Sequence, residues 1–137
     1  MRRMFVSISM ALALAVPAVV QAHGETPDVS AAEVLSGTGT GSEQPDAQLI
    51  LDVRTPEEYR EGHVPGAINV PHSQISDRLE ELAEYRDRDV VVYCKSGRRA
   101  GFAARELSEA GFRVYHLDGD MDGWRSGNHP ETKLPAR

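Results

Sequence analysis

Hydrophobic positions along this chain fall into short apolar runs separated by amphipathic and polar stretches. Val90-Val91-Val92-Tyr93 is a continuous run, with Asp89 before it and a polar, glycine-containing turn after it. Such a run, rich in β-branched residues, suits a strand buried on both faces, as in a parallel sheet. Past the turn, Ala103, Leu107 and Ala110 share one face of a helical repeat over residues 99–110, and Gly111 stops it. Residues 48–53 and 113–117 predict two more strands, and residues 67–70 a short one. Thr55-Pro56-Glu57-Glu58 reads as a helix start, with Thr55 as cap, Pro56 in the first position and Glu58 closing the box; Gly62 ends that helix. Ile75, Leu79 and Leu82 lie at helical spacing and predict a helix over residues 73–85, and residues 121–125 predict a last helical turn with Trp124 packed inward. Strands alternating with helices imply right-handed crossovers and an α/β fold, a parallel sheet flanked by helices on both faces. Ligands bind such sheets beyond the carboxyl ends of the strands.

The beginning of the chain reads differently. Arg2 and Arg3 precede an apolar segment over residues 4–20, and small residues lead to Ala22. This is the pattern of a signal peptide, residues 1–22, cleaved after Ala22. The segment is short for a membrane span and is interrupted by Ser7, Ser9 and Pro17. The expected product is exported, periplasmic in a Gram-negative bacterium, and free of the membrane after cleavage. Residues 23–44 form an N-terminal segment, polar and mobile as far as residue 28. A short helix over residues 30–35 follows, with Ser30 as cap and Glu33 as its capping-box partner. Gly37-Thr38-Gly39-Thr40-Gly41-Ser42 then reads as a linker, since no strand precedes those glycines and no lysine follows them. Residues 45–132 make the domain core, one domain in a chain of 137 residues.

Charge narrows the function. The formal net charge is −6, and loss of Arg2 and Arg3 would take it to −8. An acidic protein of this kind does not point to nucleic acid or an anionic membrane as partner. Its positive charge is concentrated instead at Cys94-Lys95-Ser96-Gly97-Arg98-Arg99, the turn between the central strand and the next helix. Helix-start N–H groups and the helix dipole favour an anion there, and three cations add to the effect. All of these favour thiolate over thiol, which makes Cys94 a candidate nucleophile in a cup that also attracts anionic substrates. A small buried hydrophobe would explain the cysteine but not the cations beside it. Cys94 is the only cysteine, so no disulfide or resolving thiol exists within the sequence, and in an oxidising compartment an unpaired thiol is a liability unless it is used. His63 reads as a turn-stabilising hydrogen-bonder. His72 and His116 show no ligand spacing, and His23, as a new N-terminal residue, offers only a minor copper-chelating possibility. No metal site and no cofactor are expected.

These residues resemble the rhodanese family of sulfurtransferases. The likeness is carried by four stretches in the family's order: residues 49–59 (LILDVRTPEEY), residues 62–71 (GHVPGAINVP), the Cys94 to Arg99 loop, and Val114-Tyr115-His116-Leu117-Asp118-Gly119 with Trp124. Asp120 departs from it, standing where many members have a second glycine. The resemblance implies a three-layer rhodanese-like fold and sulfur transfer by double displacement. Cys94 would take the outer sulfur of thiosulfate or a related donor as a persulfide and pass it to a thiophilic acceptor such as cyanide or a thiol. It further implies that the loop amides cradle that sulfur, that Lys95, Arg98 and Arg99 orient the donor, and that Asp52 and Arg54 mainly support the loop through ion pairs. The rival enzyme is a cysteine phosphatase, whose loop places arginine six positions after the cysteine, where this chain has Ala100. The rival of another class is a persulfide carrier that hands sulfur to a partner protein with little small-molecule turnover.

Overall fold

A computed structural model of the chain describes residues 25–37 and 48–136. The segment expected to be a signal peptide, His23 and all of the expected glycine-rich linker except Gly37 lie outside the described residues. Five parallel strands form one sheet: β1 (Asp28–Val29), β2 (Gln48–Asp52), β3 (Ile68–Asn69), β4 (Asp89–Tyr93) and β5 (Arg113–Leu117), in the order β1-β5-β4-β2-β3. Around them lie α1 (Ala31–Ser36), α2 (Pro56–Glu61), α3 (Leu79–Leu82), α4 (Arg98–Glu109) and α5 (Asp120–Ser126). This is the expected α/β arrangement, with β4 at its centre.

All five residues of β4 are buried: Val90 to Tyr93 as their unbroken apolar run requires, and Asp89 paired with Arg113 of β5. Its side chains alternate between two cores. Val90, Val92 and Cys94 join Leu49, Leu51, Ala103 and Leu107 on one face, while Val91 and Tyr93 join Leu117, Met121 and Trp124 on the other. Each large aliphatic side chain buried this way contributes about 1.5–3 kcal/mol. The capping boxes read from sequence at Ser30/Glu33 and Thr55/Glu58 are both formed. Trp124 is buried and its indole N–H donates to the Pro130 carbonyl at 2.8 Å.

Two expectations need correcting. Residues 73–85 do not form one helix: 3₁₀ turns at His72–Gln74, Ser76–Arg78 and Ala83–Tyr85 surround the four residues of α3. Ile75 and Leu82 are buried and Leu79 packs half-buried against the same core, as their spacing predicted, but the polar residues between these attachments do not hold a continuous helix. The polar stretch expected to be mobile as far as residue 28 is fastened at its end. Asp28 and Val29 extend the sheet beside β5, where His116 N–H donates to Pro27 O at 2.9 Å and Asp118 N–H to Val29 O at 2.9 Å. A two-residue strand carries too little pattern to be seen in advance. Val29 and Val34 thereby enter the second core, so β1 and α1 are packed against the sheet.

Candidate active site

Cys94 follows the last residue of β4, at the carboxyl edge of the sheet, and α4 begins four residues later. The reversal between them turns on Gly97, which caps α4 at φ +112°, a conformation that a side chain would strain. In that conformation Gly97 N–H donates to Cys94 Sγ at 3.0 Å. The first intrahelical bond of α4 runs from Gly101 N–H to Gly97 O, so the amides of its opening turn point out of the helix start toward the loop. Cys94 is itself only 1% exposed, and it sits in the core beside Val92 and Ala100. Sequence and fold thus place a sulfur at the positive end of a twelve-residue helix, with one amide already directed at it.

The loop is held from below by α5. Met121 N–H donates to Cys94 O at 3.0 Å and Asp122 N–H to Lys95 O at 3.1 Å. The Asp120 carboxylate, 2% exposed as a residue, accepts the Cys94 N–H at 2.9 Å. Its other oxygen meets His116 Nε2 at 2.9 Å. Neither residue was picked out from the sequence as part of the site. The available signal was Asp120 itself, an acidic residue in a position that calls for left-handed backbone (φ 53°).

The three loop cations have different fates. Lys95 pairs with Asp122 at 3.0 Å on the exposed rim. Arg99 makes a two-pronged contact with Glu58, Nη1 to Oε2 at 2.7 Å and Nη2 to Oε1 at 2.9 Å, tying α4 to the first turn of α2. That guanidinium lowers the Glu58 carboxyl to about 2 against the opposing effect of burial, with the Thr55 amide assisting. Arg99 in turn is held more firmly protonated, first by Glu58 and to a smaller extent by Cys94. Arg98 is exposed and, alone of the three, has no ion-pair partner among the described residues. Ser96 is exposed in the turn.

Asp52, the last residue of β2, and Arg54, two residues beyond it, are buried together at 0% and 2% exposure. Arg54 Nη2 reaches Asp52 Oδ2 at 2.7 Å and Gly62 O at 2.7 Å, and Nε reaches Asp52 Oδ1 at 3.0 Å. Burial opposes the charge on Arg54, but the bonds to Asp52 outweigh it and the guanidinium is held above its ordinary range. Tyr93 completes the group by donating to Asp52 Oδ2 at 2.7 Å while accepting Val64 N–H at 3.0 Å. Burial and the nearby Asp52 charge keep that phenol protonated. The hydrogen bonds of this cluster run to Gly62, Val64 and Asn69, not to the Cys94 loop. His63 Nδ1–H donates to Tyr59 O at 2.7 Å and the ring stacks on Tyr59 at 3.7 Å, fixing the turn after α2. Among the described residues no group of three or more His, Cys, Asp or Glu side chains could hold a metal ion, and no helix is long and apolar enough to cross a membrane.

Residues 30–127 match the family described as Rhodanese-like domain. Over 83 residues the chain is 45% identical to the HTH-type transcriptional regulator Rv0324 of Mycobacterium tuberculosis, a match covering 59% of this chain and 36% of that protein. Over 66 residues it is 42% identical to thiosulfate sulfurtransferase PspE of Escherichia coli, covering 48% of this chain and 64% of that one. In both cases the chain spans less than two thirds of the relative. A solved structure described as rhodanese with anions from E. coli superposes with a TM-score of 0.54 at 34% identity, over 64% of this chain and 99% of that one.

Proposed function

The chain belongs to the rhodanese-like domain family, and from that premise we propose that it is a sulfurtransferase acting through a persulfide on Cys94. The observation that carries the proposal is Cys94 Sγ at the start of α4, 3.0 Å from Gly97 N–H in a turn bearing three cations. In the first half-reaction the Cys94 thiolate attacks the outer sulfur of thiosulfate. The S–S bond of the donor breaks, sulfite leaves with the bonding pair, and Cys94 carries S–S⁻. In the second, cyanide or a thiolate attacks that terminal sulfur, the Cys94–sulfur bond breaks, and the thiolate returns. No proton has to be moved in either step, so no general base is needed.

The residues divide this work. Gly97 and the first-turn amides of α4 face the site where charge sits on the outer sulfur. Arg98, unpaired and exposed, is the cation best able to meet an anionic donor, and Ser96 lines the same turn. Lys95 and Arg99, engaged by Asp122 and Glu58, hold the loop's shape while still contributing positive potential. Asp52 and Arg54 support the carboxyl edge of β2 beside it. The name of the E. coli relative, a thiosulfate sulfurtransferase, supports thiosulfate as donor. Export to the periplasm is part of the same proposal and rests on Arg2, Arg3 and the apolar segment after them.

Intact mass measured before and after thiosulfate tests the chemistry. Wild-type protein should gain one sulfur and lose it again to cyanide, and Cys94→Ser should gain none. A fully reduced wild type that takes no sulfur removes thiosulfate as donor. A persulfide that forms but discharges slowly to cyanide and rapidly to a protein thiol makes the protein a carrier.

A further inference from the structure

Asp120 is unusual on three counts. It is a charged side chain 2% exposed, a non-glycine residue at φ 53°, and the group whose two oxygens join the Cys94 amide to the His116 ring. His116 is itself flanked on both sides. Its Nε2 lies 2.9 Å from Asp120 Oδ2 and its Nδ1 lies 3.1 Å from Asp28 Oδ1. Carboxylates only accept, and a neutral imidazole has one N–H, so only the imidazolium satisfies both contacts. Both groups reach the reacting loop: a Cβ on Gly97 would come within 3.0 Å of Asp120 Oδ2 and 3.6 Å of His116 Cε1.

We propose that Asp120 and His116 are positioning residues that hold the Cys94 loop from beneath and that set, through the proton on His116, the negative charge felt at the sulfur. The proposal rests on Cys94 being the reacting sulfur. With His116 protonated, the buried Asp120 charge is offset and the loop's positive potential reaches an incoming anion. When the proton leaves, the ring keeps its remaining N–H on buried Asp120, exposed Asp28 turns to water, and one more net negative charge lies under Cys94. Anionic donors should then react more slowly while neutral reagents are little affected.

The charged groups facing His116 are Asp28 from β1 and Asp120 from α5. Val92, its neighbour on β4, is apolar. Across the loop, Lys95 and Asp122 offset each other, Arg99 is held by Glu58, and Arg98 remains as uncompensated positive charge. Those contacts agree with the direction of His116's own titration, raised first by the hydrogen bond to Asp120, against burial, and then by the Asp120 and Asp28 charges.

The test compares alkylation of Cys94 by iodoacetate, an anion, with alkylation by iodoacetamide, which is neutral, across pH, alongside an NMR titration of His116. The ratio of the two rates cancels the ionisation of Cys94 itself. In wild type it should fall roughly three- to tenfold as pH rises through the His116 titration. His116→Gln, which keeps a hydrogen-bond donor without the charge, should give a flat ratio. Asp120→Asn, which tolerates the same backbone, should move the inflection to lower pH. A flat ratio in wild type, or an inflection that survives in His116→Gln, overturns the proposal. Neither readout requires sulfur transfer, so a wild type that alkylates as described but takes no sulfur from thiosulfate would sink the donor assignment and leave this one standing.

Discussion

Replacing Arg54 with alanine decides whether the buried Asp52–Arg54 pair holds the fold or meets the donor. The substitution removes the Nη2 and Nε contacts to Asp52 and the bond to Gly62 O, leaving a carboxylate at 0% exposure with only Tyr93 Oη and the residue-54 amide as donors. Breaking a buried pair on one side costs about 3–5 kcal/mol, because the remaining charge is stranded away from water. In a domain of this size that lowers the thermal midpoint by roughly 10–20 °C. With a urea dependence of about 1.5–2 kcal/mol per molar, the denaturation midpoint falls by roughly 1.5–3 M. Trp124, the single tryptophan and 1% exposed, reports the transition by its emission. The paired replacement Asp52→Leu with Arg54→Met removes both charges together and should recover much of the loss, giving a coupling energy of at least about 2 kcal/mol in the double-mutant cycle. A single Arg54→Ala that stays within about 1 kcal/mol of wild type, yet loses persulfide formation from thiosulfate, would refute the support role and make Arg54 a donor contact.

Arg98→Ala should raise the thiosulfate concentration for half-maximal persulfide formation several-fold while leaving stability within about 0.5 kcal/mol, as for an unpaired surface residue; an unchanged concentration dependence removes Arg98 from the donor site. Gly97→Ala places a Cβ 3.0 Å from Asp120 Oδ2 at φ +112° and should cost about 1–2 kcal/mol together with a large drop in persulfide formation, read by urea melts and by mass; a neutral effect on both would show that the loop relaxes freely. The Glu58 carboxyl is lowered to about 2 by Arg99, so its contribution to stability is present above its ordinary value of 4.5 and is lost as pH falls from there toward about 2. The stability gap between wild type and Glu58→Gln should therefore be full at neutral pH and close over that acid window, and a gap that does not change with pH would break the assignment.

What could be read from the sequence was whatever is specified locally. The apolar run of β4, the capping box at Thr55 and Glu58, and the glycine turn after Cys94 are each encoded within a few residues and are found where expected. The partners of the loop cations were not legible. Glu58 lies 41 residues before Arg99 and Asp122 lies 27 residues after Lys95, and only the order of strands brings them together. The same holds for the contacts of Asp120 with Cys94 and His116 beneath the loop, which form only when α5 packs beside β5 and β4. The broken run over residues 73–85 erred the other way, since its spacing was right while its polar residues left the backbone free to form short 3₁₀ turns.

Burial of Cys94 has a consequence for how the protein survives alone. The residue is 1% exposed, and its sulfur is enclosed by the turn whose Gly97 N–H it accepts. Joining two copies through an intermolecular disulfide needs their sulfurs about 2.05 Å apart and their Cβ atoms within about 4.5 Å. Two such loops cannot approach that closely unless each opens, which would break the bonds from Met121 and Asp122 to the loop carbonyls. The fold therefore separates partners by girth. A slender reagent needs no such opening, whereas a second copy does, so the burial of Cys94 guards the protein against dimerising by oxidation.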